Sequence, residues 1–224
     1  MHDTDDTQTA AQLIELQLNQ TEARIVASLV EKEATTPDTY PLTLNAIVLA
    51  CNQKTAREPF LQLEPGEVGH ALRQLESRGW VKSQHAARAD RYAHRVEARL
   101  DLSRAHTALL ALLMLRGPQT AGELLSRSER LAKFDTVGDV QYALERMSQR
   151  NPALVRLLPR QGGQREDRCA HLLSGEPAYV ATPAGTATAL ASGAVLAERV
   201  AALEARLAEL ESRLDAAGIA PTPD

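Results

Sequence analysis

The sequence predicts an α+β fold, mainly helical with small β hairpins, and three observations carry that prediction. The first is an internal repeat. Gly66-Glu-Val-Gly-His-Ala-Leu72 and Gly138-Asp-Val-Gln-Tyr-Ala-Leu144 share the pattern G-[ED]-V-x-x-A-L, and the match continues with Leu75 against Met147 and Arg78 against Arg150. Each copy then enters a short apolar run, Trp80-Val-Lys82 and Leu154-Val-Arg156. A shared glycine, acid and downstream strand argue for duplication rather than a chance likeness of two amphipathic helices. The second observation is helical periodicity upstream of each copy. The third is a leucine stripe at heptad spacing near the C-terminus.

In the first copy, Asn19-Gln-Thr-Glu22 has the form of a capping box. Ala23, Val26, Ala27 and Val30 then recur at helical spacing. Thr36-Pro37 and Tyr40-Pro41 break the chain. A second helix is expected from Leu42 to Cys51, with Leu44, Ile47, Val48 and Cys51 on one stripe. Glu64-Pro-Gly-Glu67 opens a third, because proline suits the first helical position, where its missing N–H has no helical partner anyway. Val68, Leu72 and Leu75 face the core and Gly79 stops the helix. Strands are expected at Val81 to Ser83 and Tyr92 to Val96, around a polar loop from Gln84 to Arg91.

The second copy repeats the order. Helices are expected at Ser103 to Leu115, at Ala121 to Leu131 behind the cap Thr120, and at Val137 to Arg150. Strands near Leu154 to Leu158 and Cys169 to Leu173 flank a loop whose Gly162-Gly163 pair suits a hairpin tip. Three helices followed by a two-stranded hairpin is the winged-helix arrangement, a helix-turn-helix variant. The expected organisation is a flexible acidic N-terminus (1–17), two tandem winged-helix domains (18–100 and 101–178), a linker (179–194), a coiled-coil helix (195–217) and a flexible tail (218–224).

The polar stretch Cys51-Asn-Gln-Lys-Thr-Ala-Arg-Glu-Pro59 falls between the second and third helices of the first copy. Asn52 is suited to the left-handed conformation that closes a helix. Lys54 and Arg57 are expected to project from a surface turn, and Cys51 to be a buried, inert thiol.

These residues resemble a known family. Thr35-Thr-Pro-Asp-Thr-Tyr-Pro-Leu42 with Ala50 to Pro59, Leu115-Arg-Gly-Pro-Gln-Thr-Ala-Gly-Glu-Leu124, Arg127 to Leu131, and His171-Leu-Leu-Ser-Gly-Glu176 are similar to the bacterial YceH-like family of tandem winged-helix proteins. The likeness covers Leu18 to Glu176. It implies the same fold and brings no activity, substrate or catalytic residue with it. Glu64 departs from the pattern, which often has a serine-type cap there, and the loop before Asp90 and the C-terminal tail differ too.

Beyond an Ala-, Gly-, Thr- and Ser-rich stretch, Leu196, Val200, Leu203, Leu207, Leu210 and Leu214 alternate in spacings of four and three, the a/d seam of a coiled coil. Arg199, Arg206 and Arg213 take the g positions, and Glu204 and Glu211 the e positions. In a parallel pair Arg199 meets Glu204 and Arg206 meets Glu211, whereas an antiparallel pair sets like charges together. The pattern favours a parallel homodimer, with a single amphipathic helix on the protein's own surface as the alternative.

The chain has 224 residues and a formal net charge of -4, with 44% apolar and only 3% aromatic residues, so its core is aliphatic and no general basic coat exists. Two cysteines, Cys51 and Cys169, imply neither a disulfide framework nor a metal site. No secretory leader and no membrane span is expected, and the expected compartment is the cytoplasm. The wings are locally cationic. Arg78, Lys82, Arg88, Arg91, Arg95 and Arg99 outnumber Asp90 and Glu97 in the first, and Arg156, Arg160, Arg165 and Arg168 stand against Glu166 and Asp167 in the second.

This segregation is what phosphate contact by wings produces. The candidate nucleic-acid contacts are Lys54, Arg57, Arg73, Gln74, Lys82, Arg88, Arg91, Arg160 and Arg165. The expected function is double-stranded DNA binding, as in a transcriptional regulator. The alternative is a protein-interaction scaffold, consistent with Glu67, Asp139 and Glu145 on the reading helices. No catalytic, cofactor or metal residues are expected. Cys169 and His171 lack a third partner, and His171 reads as a satisfied structural histidine.

Overall fold

The computed structural model describes residues 16–85, 89–160 and 166–177, and Asn19 caps the first helix whose bounds lie within them. Its Oδ1 accepts the Glu22 N–H at 2.9 Å, and Glu22 Oε2 accepts the Asn19 N–H at 2.9 Å, which completes the capping box. The helix, α1, spans Gln20–Thr35, and every residue from Glu22 to Val30 is buried. A helix enclosed on all sides lies inside a core rather than on its edge. One side of α1 packs on α2 (Leu44–Cys51) and α3 (Pro65–Ser77). The strands β2 (Val81–Gln84) and β3 (Arg91–His94) form the hairpin, and β1 (Leu42–Thr43) adds to β3, giving the order β1-β3-β2. A short helix, α4 (Val96–Leu100), leads on.

The second module repeats this plan with α5 (Arg104–Arg116), α6 (Ala121–Ser128), α7 (Val137–Ser148), β4 (Val155–Leu158) and β5 (Arg168–His171). Thr120 and Thr136 each form a capping box, with Glu123 and Asp139. The likeness between the two modules extends to atomic detail. Val68, Ala71, Leu72 and Leu75 are buried on α3, as are Val140, Ala143, Leu144 and Met147 on α7. The Leu75 carbonyl accepts from Trp80 N–H at 2.9 Å, and the Met147 carbonyl from Leu154 N–H at 3.1 Å. Leu42 pairs with Tyr92 before α2, and Gln119 bridges Cys169 before α6.

The two modules share one hydrophobic core. From Thr107 to Leu115 every residue of α5 is buried, and α5 lies against α1. Each Leu, Ile or Val enclosed between them contributes about 1.5–3 kcal/mol of transfer free energy. The buried residues of both copies, from Ile25 and Leu72 to Leu109 and Leu144, belong to one cluster.

Several expectations need correction. The helix expected from Leu42 begins only at Leu44, because Thr43 caps it, its Oγ1 accepting from Ala46 N–H at 3.4 Å, and Leu42–Thr43 is drawn into the sheet. Asn52 is not left-handed, with φ -91° and ψ 14°. Its amide instead exchanges two hydrogen bonds with the Leu63 backbone, at 2.9 and 2.8 Å, and ties off the whole connection. The positive φ in that stretch falls on Ala56, at 64°. The strand expected to reach Val96 stops at His94, and Val96 starts α4. Gly79 does end α3's run, at φ +74°. The C-terminal seam, the linker and both chain ends lie outside the described residues, and no described helix is long and apolar enough to cross a membrane.

Candidate nucleic-acid interface

The face of the first module that α3 and the hairpin present is organised by Glu76. Its Oε1 accepts from Ser83 N–H at 2.8 Å and from Ser83 Oγ at 2.5 Å, which ties α3 to β2. These bonds favour the ionised carboxyl and hold Glu76 below the usual carboxylate range. Arg73 is exposed on the same helix, and a Cβ placed on Gly69 would lie 3.8 Å from its Nη1 and 4.0 Å from Leu44. The guanidinium therefore lies over Gly69, where α2 and α3 meet. Gln74 is exposed and its Nε2 lies 3.0 Å from His70 Nε2.

Pairing in the sheet separates the other cations from Arg73. Ser83 pairs with Tyr92, and these share the helix-facing side with Val81 and His94. Lys82 and Gln84, opposite Ala93 and Arg91, take the other side by the two-residue alternation of a strand. Lys82 and Arg91 thus form an outer cationic face, apart from Arg73. Arg91 is held by carbonyls, donating through Nη1 to Thr39 O at 3.2 Å and Pro41 O at 2.7 Å, and no acid among the described residues pairs with it. Lys54 is exposed on the α2–α3 connection.

Arg57 is a correction. It does not project from the turn but is only 5% exposed. Its Nη2 lies 2.6 Å from Glu31 Oε2, and its Nε and Nη1 donate to Ala50 O and Ala56 O at 3.0 and 2.9 Å. Arg78 turns toward α1, where it meets Glu22 at 3.0 Å and the Gln17 carbonyl. Arg88 and Arg165 lie outside the described residues, as do Leu196, Val200, Leu203, Leu207, Leu210 and Leu214.

The second module has a different electrostatic character. Arg156 is ion-paired with Glu176, and Arg168 Nη1 lies 3.1 Å from Glu123 Oε2 and 2.8 Å from Pro118 O. Arg160 is exposed beside Asp167, whose Oδ1 accepts its backbone N–H at 3.0 Å. Between α7 and this hairpin runs a groove of about 720 Å³ lined in part by Val137, Leu157, Glu145, Glu166 and Asp167. Leu157 is 57% exposed and the neighbouring Tyr142 66%. Apolar side chains and carboxylates thus line this groove, with Arg160 as its one cation among the described residues.

Both cysteines are buried and free. Burial pushes the Cys51 thiol up to about 11 and the Cys169 thiol up to about 12. His171 corrects an expectation too, for its buried Nδ1 has no hydrogen-bond partner, and burial lowers it to about 4. No sequence signal marks that atom, since its isolation depends on what α5 and the α1 start place around it.

A family model described as "Protein of unknown function, DUF480" matches residues 18–164. The chain is 54% identical over 204 residues to UPF0502 protein Smlt0097 of Stenotrophomonas maltophilia (strain K279a), covering 88% of this chain and 92% of that one. It is 54% identical over 214 residues to UPF0502 protein xcc-b100_4348 of Xanthomonas campestris pv. campestris (strain B100), covering 90% and 96%. It is also 53% identical over 215 residues to UPF0502 protein XOO0224 of Xanthomonas oryzae pv. oryzae (strain MAFF 311018), again covering 90% and 96%. The likeness to YceH-type proteins drawn from Thr35 to Glu176 agrees with these matches, and the chain belongs to the DUF480 (UPF0502) family.

Proposed function

We propose that both modules are winged helices and that the chain binds duplex DNA through the first. The observation that carries this reading is the contrast between the hairpins. Lys82 and Arg91 are exposed cations without an acidic partner among the described residues, whereas in the second hairpin Arg156 and Arg168 are spent in ion pairs and Arg160 stands beside Asp167 and Glu166. Uncompensated cations on a projecting hairpin favour phosphate contact, and Arg73 at the α2–α3 junction is placed for a base edge or a second phosphate. In this reading the heptad segment Leu196 to Leu214 pairs two copies in parallel in the cytoplasm, and a dimer doubles the number of wings per complex.

The test is fluorescence anisotropy of the full chain with a random duplex across a range of salt. Binding should weaken steeply with salt, and Arg73→Ala with Lys82→Ala should reduce the log–log slope by about 0.9 for each phosphate that is no longer neutralised. No detectable binding at low salt would sink the reading.

A second reading is supported by the groove of the second module. Exposed Leu157 and Val137 in the groove with Glu145, Glu166 and Asp167 suit an amphipathic basic segment of a protein partner. The chain then acts as a scaffold, and DNA affinity that is weak and insensitive to salt would favour it.

A further inference from the structure

Three charged side chains are buried in the described structure: Glu22, Arg24 and Arg57. Glu22 meets Arg78, and Arg57 meets Glu31. Arg24, on α1 and 2% exposed, has no carboxylate at ion-pair distance among the described residues. Its Nη1 and Nη2 donate to Cys51 O at 3.3 Å and Pro59 O at 2.7 Å, and its Nε has no hydrogen-bond partner. Backbone carbonyls fix the guanidinium but bring no negative charge. Desolvation, and then the neighbouring charge of Arg57, lower its pKa against smaller opposing contributions from Cys51 and Glu58, so the net effect disfavours the cation. A buried ion left this way is costly unless an opposite charge arrives.

Arg24 lines a cavity of about 570 Å³. Its walls come from both modules: Leu18 and Ala23 at the start of α1, Leu113 and Met114 at the end of α5, and His171 on β5. His171 brings the second orphan, its buried Nδ1. Glu58 stands at the cavity as an exposed carboxylate. We propose that this cavity binds a small monocarboxylate with an apolar body, its carboxylate set against Arg24 and a further polar atom at His171. Burial keeps His171 uncharged at neutral pH, so it offers a hydrogen bond and not a second cation. Arg24 is the one cation lining the cavity among the described residues, and the exposed Glu58 carboxylate already offsets part of its field, so a dianion is disfavoured more than a monoanion. Leu18, Leu113 and Met114 supply an apolar wall, and the size is that of a small-molecule site. The proposal stands whether or not the first module binds DNA.

Calorimetric titration of the full chain tests it, with hexanoate and salicylate as probes and hexanamide and salicylamide as uncharged counterparts. Each acid should bind at least about tenfold more tightly than its amide, and Arg24→Gln should bring the acid down to the amide's affinity. Ser174→Trp, at an exposed position lining the same cavity, should abolish binding of both acids without touching the Arg24 clamp. If Arg24→Gln fails to fold, Ser174→Trp decides. Failure of both acids to bind, equal affinity for acid and amide, or unchanged affinity in Ser174→Trp would overturn the proposal.

Discussion

The Arg57 guanidinium and the Glu31 carboxylate face each other at 2.6 Å, with the arginine side chain wholly enclosed. They fasten the α2–α3 connection to the last turns of α1. Arg57→Ala removes a wholly enclosed guanidinium with its hydrogen bonds and leaves the half-buried Glu31 with only Lys32, at 3.7 Å, so it should destabilise the fold by about 2–3 kcal/mol in urea unfolding. Arg57 cannot reach a phosphate, so the salt slope of any DNA binding should stay that of the unmodified chain. Weakened DNA affinity with unchanged stability would show that Arg57 touches the nucleic acid after all.

The two thiols should be silent. A thiol near 11 or 12 supplies almost no thiolate at neutral pH, and both sulfurs are buried besides. The native chain should show no reaction with a disulfide reagent on the time scale of mixing, and two equivalents should react in concentrated urea. A fast equivalent in the native chain would place one cysteine in an open, electropositive setting.

Much of this architecture was legible because its causes are local. Capping boxes at Asn19 and Thr120, the proline opening α3, and the shared pattern of Val68 to Leu75 and Val140 to Met147 involve residues within a turn or two of each other. Helix α4 was missed, because Val96 at its start reads equally well as the end of a strand and the helix is only five residues long. The site was less legible. Arg57 and Glu31 are 26 positions apart, and a basic residue in a polar stretch looks exposed until the partner is in place. The hairpin charges suffered the same fate: Arg156 and Arg168 count as basic in the sequence, but Glu176 and Glu123 neutralise them in space. The cavity at Arg24 and His171 arises only when α1, α5 and β5 come together.

The shared core has a thermodynamic consequence that the repeat alone does not suggest. Two separately packed domains would unfold independently, but α1 and α5 bury each other. Leu144 lies in the second module and Trp80, the sole tryptophan, in the first. Leu144→Ala should cost about 2–5 kcal/mol and lower the midpoint seen by Trp80 fluorescence as much as that seen by far-ultraviolet circular dichroism. A Trp80 transition that does not move would mean that the modules fold apart.

His171 sets the acid side of stability. Burial lowers its folded value to about 4, against 6.5 for the unperturbed ring. Between those values the unfolded chain binds a proton that the folded chain does not, so stability rises with pH across the window. The contribution is complete above the unfolded value and is lost progressively as pH falls toward 4. A shift of this size corresponds to roughly 3 kcal/mol at 1.36 kcal/mol for each pH unit. Urea unfolding at a series of pH values should therefore show a steeper loss between neutrality and pH 4 in the unmodified chain than in His171→Leu, which removes the titrating group. Equal slopes in the two chains would mean that the ring is protonated and partnered in the folded state, and that its Nδ1 is not the isolated atom on which the cavity's second polar anchor depends.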